Sequence, residues 1–281
     1  MRLRLEWGAI WLMRVVGGAI LTAAVAFPFY WMVIASLKPL TVLLANPTDI
    51  GINPTEMTFR AYPQIWLGFD FQRYFFNSAY VSLMTVLLSV SMATLGAYAV
   101  ARLRFRGRTM LSRSILLVYM FPAIAVAVPI YVIFSKLGLR NNLNGLVIFY
   151  LAQTFPVALY MLHSYFKTLP ADLEEAGLID GCSRLSVIWR ITVPLSLPAM
   201  MSVALYTFMI AWNEFLFAFL FLDSPAAYTL PRGIQQVAHN INVSQQLLMA
   251  GSVIATLPVV IVFLAFERYL VRGLTAGGVK G

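Results

Sequence analysis

The chain has 281 residues, of which 60% are hydrophobic and only 11% are charged, and its formal net charge is +9. Soluble domains carry about 25% charged residues, so a chain this apolar lacks the polar surface of a water-soluble fold and belongs in lipid. Its basic residues lie mostly in short loops beside apolar runs, an arrangement that orients membrane proteins and argues against nucleic-acid binding. The single cysteine, Cys182, excludes an internal disulfide. The two histidines lie far apart without acidic or thiol neighbours, which argues against a metal site.

Six apolar runs are each long enough, at roughly 20 residues, to cross the hydrocarbon core of a bilayer. Their approximate bounds are residues 15–37, 78–101, 115–134, 146–166, 195–222 and 247–266. A cleaved signal peptide is the competing interpretation of the first run, because residues 24–26 resemble a cleavage site. However, the run stays apolar for about ten residues beyond that point, which favours a retained first span. We therefore predict an all-α integral membrane protein of six helices, folded as a single transmembrane domain over residues 1–281.

The basic residues are divided unequally between the two sides of this arrangement. The N-terminus, the second and fourth connections and the C-terminal tail (residues 268–281) hold 14 of the 20 Lys and Arg residues, and the other connections hold six. The richer side is normally cytoplasmic. Both termini and the fourth connection, residues 167–194, are therefore expected in the cytoplasm.

Residues 167–194, called the coupling loop below, form the longest polar interruption between the later spans. Pro170 suits a first helical position. Gly181 is expected to adopt the left-handed conformation that ends a helix, and Ser183 to cap a second short helix before Pro194 opens the next span. The local signals therefore predict two short helices joined by a tight turn.

The same residues resemble the EAA loop of ABC-importer permeases, whose pattern is E-A-A-x3-G-x9-I-x-L-P. The matching segment contains Glu175, Ala176, Gly177, Asp180, Gly181, Ile191, Val193 and Pro194. Gly177 replaces the second alanine of the pattern, and Val193 replaces its leucine. Both substitutions keep a small or apolar residue, and the spacing of the pattern is unchanged. The resemblance implies that this loop is a coupling helix that docks into a cleft of a cytoplasmic ATPase, where Glu175 pairs with a basic residue. A plain helical hairpin on the membrane surface is the alternative.

Two further segments are similar to maltose-type, MalG-like permeases. The connection between the fifth and sixth spans contains Gly233, Gln235 and Gln236, which by resemblance form a loop that enters the sugar cleft of a docked binding protein. A polar surface loop is the alternative there. The glycine-rich tail is similar to the end of the same permeases, which implies that it reaches the interface of the ATPase dimer.

Glu214 is an ionisable residue inside the fifth predicted span, where a charge is costly and usually faces an interior cavity. Asn213 and Trp212 beside it offer hydrogen bonding and an aromatic face, both suited to a sugar. Pairing of Glu214 with a neighbouring helix or partner subunit is the open alternative. Asn77 and Gln153 are further candidates for the translocation path, although bonding between helices is the more common role of such residues.

The chain lacks the phosphate-binding G-x-x-x-x-G-K-[ST] motif and the H-E-x-x-H and G-x-S-x-G motifs, so we expect no enzyme activity and no bound cofactor. The resemblance implies a permease subunit of an ATP-driven importer for a di- or oligosaccharide, such as a maltose- or trehalose-like sugar, in the inner membrane of a prokaryote. Its implied partners are a second permease subunit, an ATPase dimer that binds ATP and Mg²⁺, and an extracytoplasmic sugar-binding protein. An importer of another small polar solute, an ion-driven secondary transporter and a polytopic membrane enzyme remain open.

Overall fold

The fold is given by a computed structural model that describes residues 2–46, 48–115, 117, 122–240 and 243–275. Every regular element among these residues is a helix, as the sequence predicted. In chain order the helices are α1 (Arg2–Leu37), α2 (Leu40–Ala45), α3 (Ala61–Gly68), α4 (Phe71–Arg102), α5 (Arg108–Ser114), α6 (Ala123–Lys136), α7 (Leu143–Phe166), α8 (Ala171–Ile179), α9 (Arg184–Val187), a π-helical turn (Ile188–Thr192), α10 (Val193–Asn213), α11 (Leu216–Phe221), a 3-10 turn (Pro225–Ala227), α12 (Leu230–Ala238) and α13 (Gln245–Thr275).

Five helices in the described part of the chain are long and apolar enough to cross a membrane. They are Ile10–Leu37, Phe71–Arg102, Leu143–Phe166, Arg184–Asn213 and Gln245–Tyr269. In the region of the predicted third span, α6 has 14 residues. Such a helix is about 21 Å long at 1.5 Å per residue, which is short of the ~30 Å hydrocarbon core. Part of the predicted span 115–134 lies outside the described residues, so a sixth span stays a prediction.

Several boundaries differ from the sequence-based ones. The run 195–222 is not one helix, because α10 ends at Asn213 and the backbone is extended at Glu214 (φ −68°, ψ 125°) before α11 begins. The connection that follows contains the helix α12 as well as irregular chain. At the C-terminus, α13 continues through Thr275. Residues 276–281 of the predicted tail lie outside the described residues.

By backbone contacts the chain divides into two compact units. The first comprises Met1–Phe71 and Ile234–Thr256. Within it, Phe71 is buried and its ring lies 3.1 Å from the position that a Cβ at Gly251 would occupy. Lys38 is buried as well and donates to the Asp49 carboxylate at 2.8 Å.

The second unit comprises Gln72–Gly233 and Leu257–Gly281. Its apolar core is formed by α4, α7 and α10 together with Ile115 and Ile188. Alanines such as Ala93 and Ala158 contribute heavily to this core, because small residues let membrane helices approach closely.

Large apolar side chains also cover the outside of the spanning helices. On α1, Trp11 is 65% exposed, and on α13 Ile261 is exposed to a similar degree. Such surfaces would be unfavourable in water and are suited to lipid or to another membrane subunit.

Candidate coupling site and translocation residues

The first half of the coupling loop is α8 and the turn that ends it. Gly181 has φ +85°, so the left-handed conformation predicted for it is confirmed. Two backbone bonds close the turn, from Gly181 N–H to Leu178 O at 3.1 Å and from Cys182 N–H to Gly177 O at 3.0 Å. This pair of bonds is the Schellman motif, which satisfies carbonyl groups that a helix end would otherwise leave without partners.

The second half of the coupling loop runs into a spanning helix without interruption. Ser183 Oγ accepts a hydrogen bond from Ser186 N–H at 3.2 Å, so the predicted cap of α9 is confirmed. A π-helical turn then joins α9 to α10, and the whole stretch Arg184–Asn213 is helical. Pro194 therefore lies near the start of α10 inside a continuous helix instead of opening a separate segment. Pro170 lies just before α8 instead of in its first turn.

Close packing holds α8 against the π-helical turn. Gly177 is buried, and a Cβ added there would lie 2.6 Å from Ile191 Cδ1 and 3.5 Å from Val187 Cγ2. The departure from the EAA pattern at Gly177 thus coincides with a tight contact to Ile191, another residue of the motif. Because the contact is to the end of a flexible side chain, an alanine fits only if Ile191 moves.

The opposite face of α8 is open. Glu175, Ala176 and Asp180 are exposed, and Ile179 is 85% exposed. Trp189, beyond the turn, is 55% exposed. Carboxylates beside exposed apolar side chains can accept hydrogen bonds from basic groups and bury apolar surface, which is the chemistry of a protein-binding surface. Of the remaining motif residues, Gly181 and Pro194 are exposed and Ile191 is half-buried.

Sequence reasoning missed the acid that anchors the coupling loop. Glu174 is buried, and each of its carboxylate oxygens lies 3.1 Å from Nε of Arg102. Arg102 Nη2 also donates to Leu169 O at 2.9 Å. One signal was present in the sequence. Glu174 precedes Gly177 by three residues, so the two share a face of α8, and the glycine marks the face that packs.

Glu214 lies at the break between α10 and α11, where its carboxylate accepts several hydrogen bonds. Tyr150 Oη donates at 2.6 Å, Phe217 N–H at 3.0 Å and Ala218 N–H at 3.2 Å. The carboxylate therefore satisfies the first backbone donors of α11 and links it to α7. These contacts favour the interpretation in which Glu214 pairs with a neighbouring helix.

The other translocation candidates make separate contacts. Trp212 is buried, with its ring 5.5 Å from that of Phe75. Asn213 is exposed and donates to Met209 O within its own helix. Asn77 donates to two carbonyls of the segment after α11, Ala226 O at 3.1 Å and Tyr228 O at 2.9 Å. Gln153 is half-buried on α7.

The three residues expected to contact the binding protein, Gly233, Gln235 and Gln236, lie on α12. Gly233 is buried, and a Cβ there would overlap the ring of Tyr74, so this glycine packs into the fold. Gln235 is half-buried and Gln236 is exposed. Among the three, Gln236 presents the most accessible side chain to a partner.

Comparison with known proteins places these features in a family. Residues 86–276 match the model of the binding-protein-dependent transport system inner membrane component. That range covers most of the chain, including the coupling loop and Glu214. The chain belongs to this permease family.

Two relatives and one solved structure resemble the permease over nearly its whole length. The Escherichia coli inner membrane ABC transporter permease protein YcjP is 41% identical, with 94% of this chain and 95% of the relative covered. The trehalose/maltose transport system permease protein MalG of Thermococcus litoralis is 40% identical over the same shares. A chain of a bacterial ABC transporter that imports alginate has the same fold, with a TM-score of 0.80, 21% identity, and 96% of this chain and 98% of that chain covered.

Family membership confirms three expectations from the sequence. The permease is a subunit of a binding-protein-dependent ABC transporter, it lies in the inner membrane, and it is a transport component instead of an enzyme. The family description also implies a substrate-binding protein and a separate ATPase as partners.

Proposed function

We propose that this permease imports a sugar, a di- or oligosaccharide of the maltose or trehalose type, as one of two permease subunits that form the translocation path. An extracytoplasmic binding protein delivers the sugar. An ATPase dimer, which binds ATP and Mg²⁺, contacts the coupling loop from the cytoplasm. The chain crosses the membrane six times in this proposal, with both termini and the coupling loop inside the cell.

The geometry of the coupling loop carries the proposal. The helix α8, which ends in a Schellman motif, presents Glu175, Ile179 and Asp180 outward while its other face is fixed to α4 and the π-helical turn. Because the loop continues into α10, a displacement of α8 by a partner would be passed to a spanning helix. In this proposal Glu175 pairs with a basic residue of the ATPase and Ile179 fills an apolar part of its cleft.

The sugar class is supported by the relatives. The Thermococcus protein, 40% identical over nearly the whole length, is named for trehalose and maltose transport. The identity of the sugar is tested on the cognate binding protein, by calorimetric titration with maltose, trehalose and unrelated polar solutes such as amino acids. Binding of amino acids but no sugar would contradict the sugar class and leave the importer mechanism standing.

Co-purification tests the ATPase contact. The tagged permease, expressed with its transporter partners and extracted in detergent, should bring down an ATPase subunit. Glu175→Arg with Ile179→Asp should abolish that recovery, because both changes alter the exposed face of α8. Gln236→Arg, an exposed change on α12, is the matched control and should leave the recovery unchanged. Absence of an ATPase from the wild-type preparation, or uptake driven by an ion gradient without ATP, would refute the importer mechanism.

The single native cysteine makes the orientation testable without new labels. Cys182 is half-buried beside the turn at Gly181. A membrane-impermeant maleimide should label it in inside-out vesicles and leave it unlabelled in right-side-out vesicles. The reverse pattern would place the coupling loop outside the cell and overturn the proposal.

A further inference from the structure

The Arg102–Glu174 ion pair lies where three elements of the fold meet. Arg102 is the last residue of α4, Glu174 lies in the first turns of α8, and Thr192 ends the π-helical turn. Besides its bonds to Arg102, Glu174 Oε1 accepts from Thr192 Oγ1 at 3.3 Å. One carboxylate thus links α8 to the end of α4 and to the π-helical turn that leads directly into α10.

Because the Arg102–Glu174 ion pair is buried, separating the two side chains costs free energy. The side chains of Arg102 and Glu174 are only 16% and 7% exposed. A buried charge that loses its partner is strongly unfavourable, because neither water nor another charge replaces the lost bonds. The ion pair therefore favours one position of α8 over others in which the two side chains would separate.

Arg102 holds the coupling loop at two points. Its Nε faces Glu174 inside α8, and its Nη2 donates to Leu169 O just before α8 begins. The planar guanidinium presents both donors in a fixed geometry. Rotation of α8 about either contact alone would break the other, so α8 can move only together with the end of α4 or by giving up both bonds.

We propose that Arg102 is a positioning residue of the transport cycle, which makes α8, α4 and α10 move as one body when the ATPase displaces the coupling loop. This inference rests on the proposed contact between the coupling loop and the ATPase. Arg102 itself contacts neither sugar nor nucleotide in this scheme. Without it, α8 would yield to the ATPase while the spanning helices lag behind.

Arg108 provides a matched control. It is half-buried near the same end of α4, and it donates to two carbonyls of that helix, Val100 O at 2.7 Å and Ala101 O at 2.9 Å. Loss of Arg108 therefore disturbs the end of α4 without removing the anchor of α8. If Arg102 merely stabilised the helix end, the two variants would behave alike.

Coupling is measured on the assembled transporter in proteoliposomes, as sugar taken up per ATP hydrolysed. Arg102→Gln should lower this ratio by about tenfold, within the usual 5–150-fold range of coupling between sites, whereas Arg108→Gln should keep it near the wild-type value. Thr192→Val should lower the ratio in the same direction by a smaller factor. The exchange of charges in Arg102→Glu with Glu174→Arg should recover part of the loss. Equal ratios for Arg102→Gln and Arg108→Gln, or no recovery by the exchange, would overturn the inference.

Labelling of Cys182 tests the positioning role on the permease itself. If Arg102 holds the coupling loop, Arg102→Gln should raise the rate of maleimide labelling at Cys182 by about tenfold, since the open population of the loop increases. Arg108→Gln should not. An unchanged rate in Arg102→Gln would refute the positioning role even if the transporter cannot be assembled. A different result would separate this inference from the proposed function. If the labelling rates differ as expected but no ATPase co-purifies with the wild type, the proposed function is refuted and Arg102 still anchors the loop.

Discussion

Gly181 allows the conformation of the coupling loop to be tested separately from its side-chain contacts. The residue has φ +85°, and a Cβ built on it meets no other atom within 4 Å. Within the permease, the effect of a substitution must therefore come from the backbone conformation, because no other part of the chain occupies the space that a side chain would take. We consider the series Gly181→Asn, Gly181→Ala and Gly181→Val.

The magnitude follows from the cost of left-handed backbone. An ordinary L-residue in this region costs roughly 1–2 kcal/mol, asparagine costs less because its side chain bonds locally, and a β-branched residue such as valine is a clear outlier. A penalty of one to two kcal/mol corresponds to a change of about 5–30-fold in an equilibrium population. The correctly bent coupling loop should therefore become less populated in the order Asn, Ala, Val.

The assay is sugar uptake and ATP hydrolysis measured side by side on reconstituted transporters of equal subunit content. The uptake per ATP should fall in the same order, with Gly181→Asn close to wild type and Gly181→Val the most affected. Gly177→Ala is a useful contrast, because its effect is steric and should be relieved by shortening Ile191 to valine. Wild-type coupling in Gly181→Val, or equal losses for Asn and Val, would refute the role assigned to the left-handed turn.

Three further changes test other parts of the fold. Glu214→Ala should destabilise the detergent-solubilised permease by about 1–3 kcal/mol, because it leaves buried donors without an acceptor. Glu214→Gln keeps an acceptor oxygen and should have a melting temperature near that of the wild type. If Glu214→Gln lowers uptake at unchanged stability, the charge of Glu214 itself serves transport. Gly233→Ala should destabilise by about 1–3 kcal/mol through overlap with the Tyr74 ring, and a wild-type melting temperature would contradict this. The hydrogen bond from Lys38, supported by the Gly51 amide, holds the pKa of Asp49 below its usual value. The contact should therefore persist at neutral pH and be lost as the pH falls through the lowered pKa, which should appear as faster proteolysis of residues 38–60 in acid. Equal proteolysis of Asp49→Asn and wild type at pH 7 would contradict this prediction.

Features that depend on neighbouring residues along the chain were predictable from the sequence. The turn at Gly181 and the cap by Ser183 are local features. Glycine is the residue most common directly after a helix, and serine is among the preferred residues directly before one. The five long apolar helices were found for the same reason, since the length of an apolar run suffices to predict them. The end of the helix at Asn213 was not predictable in this way.

The break at Glu214 depends on a residue far away in sequence. The segment around it has neither proline nor glycine, and the apolar run resumes directly after Asn213 and Glu214. The chain leaves the helix there because the carboxylate satisfies the first donors of α11 and accepts a bond from Tyr150, 64 residues earlier. Such a contact has no counterpart in local composition.

Glu174 and Glu175 are adjacent acids that have different roles in the coupling loop. Successive residues of a helix point about 100° apart, so two neighbouring carboxylates do not point the same way from the helix. The face of α8 that contains Gly177 lies against the π-helical turn, and Glu174 shares that face and is satisfied by Arg102. Glu175 is then left exposed, with its carboxylate available to a partner. The proposed ATPase contact therefore falls to Glu175, because the fold exposes its carboxylate and uses the carboxylate of Glu174 to fix α8 to the end of α4.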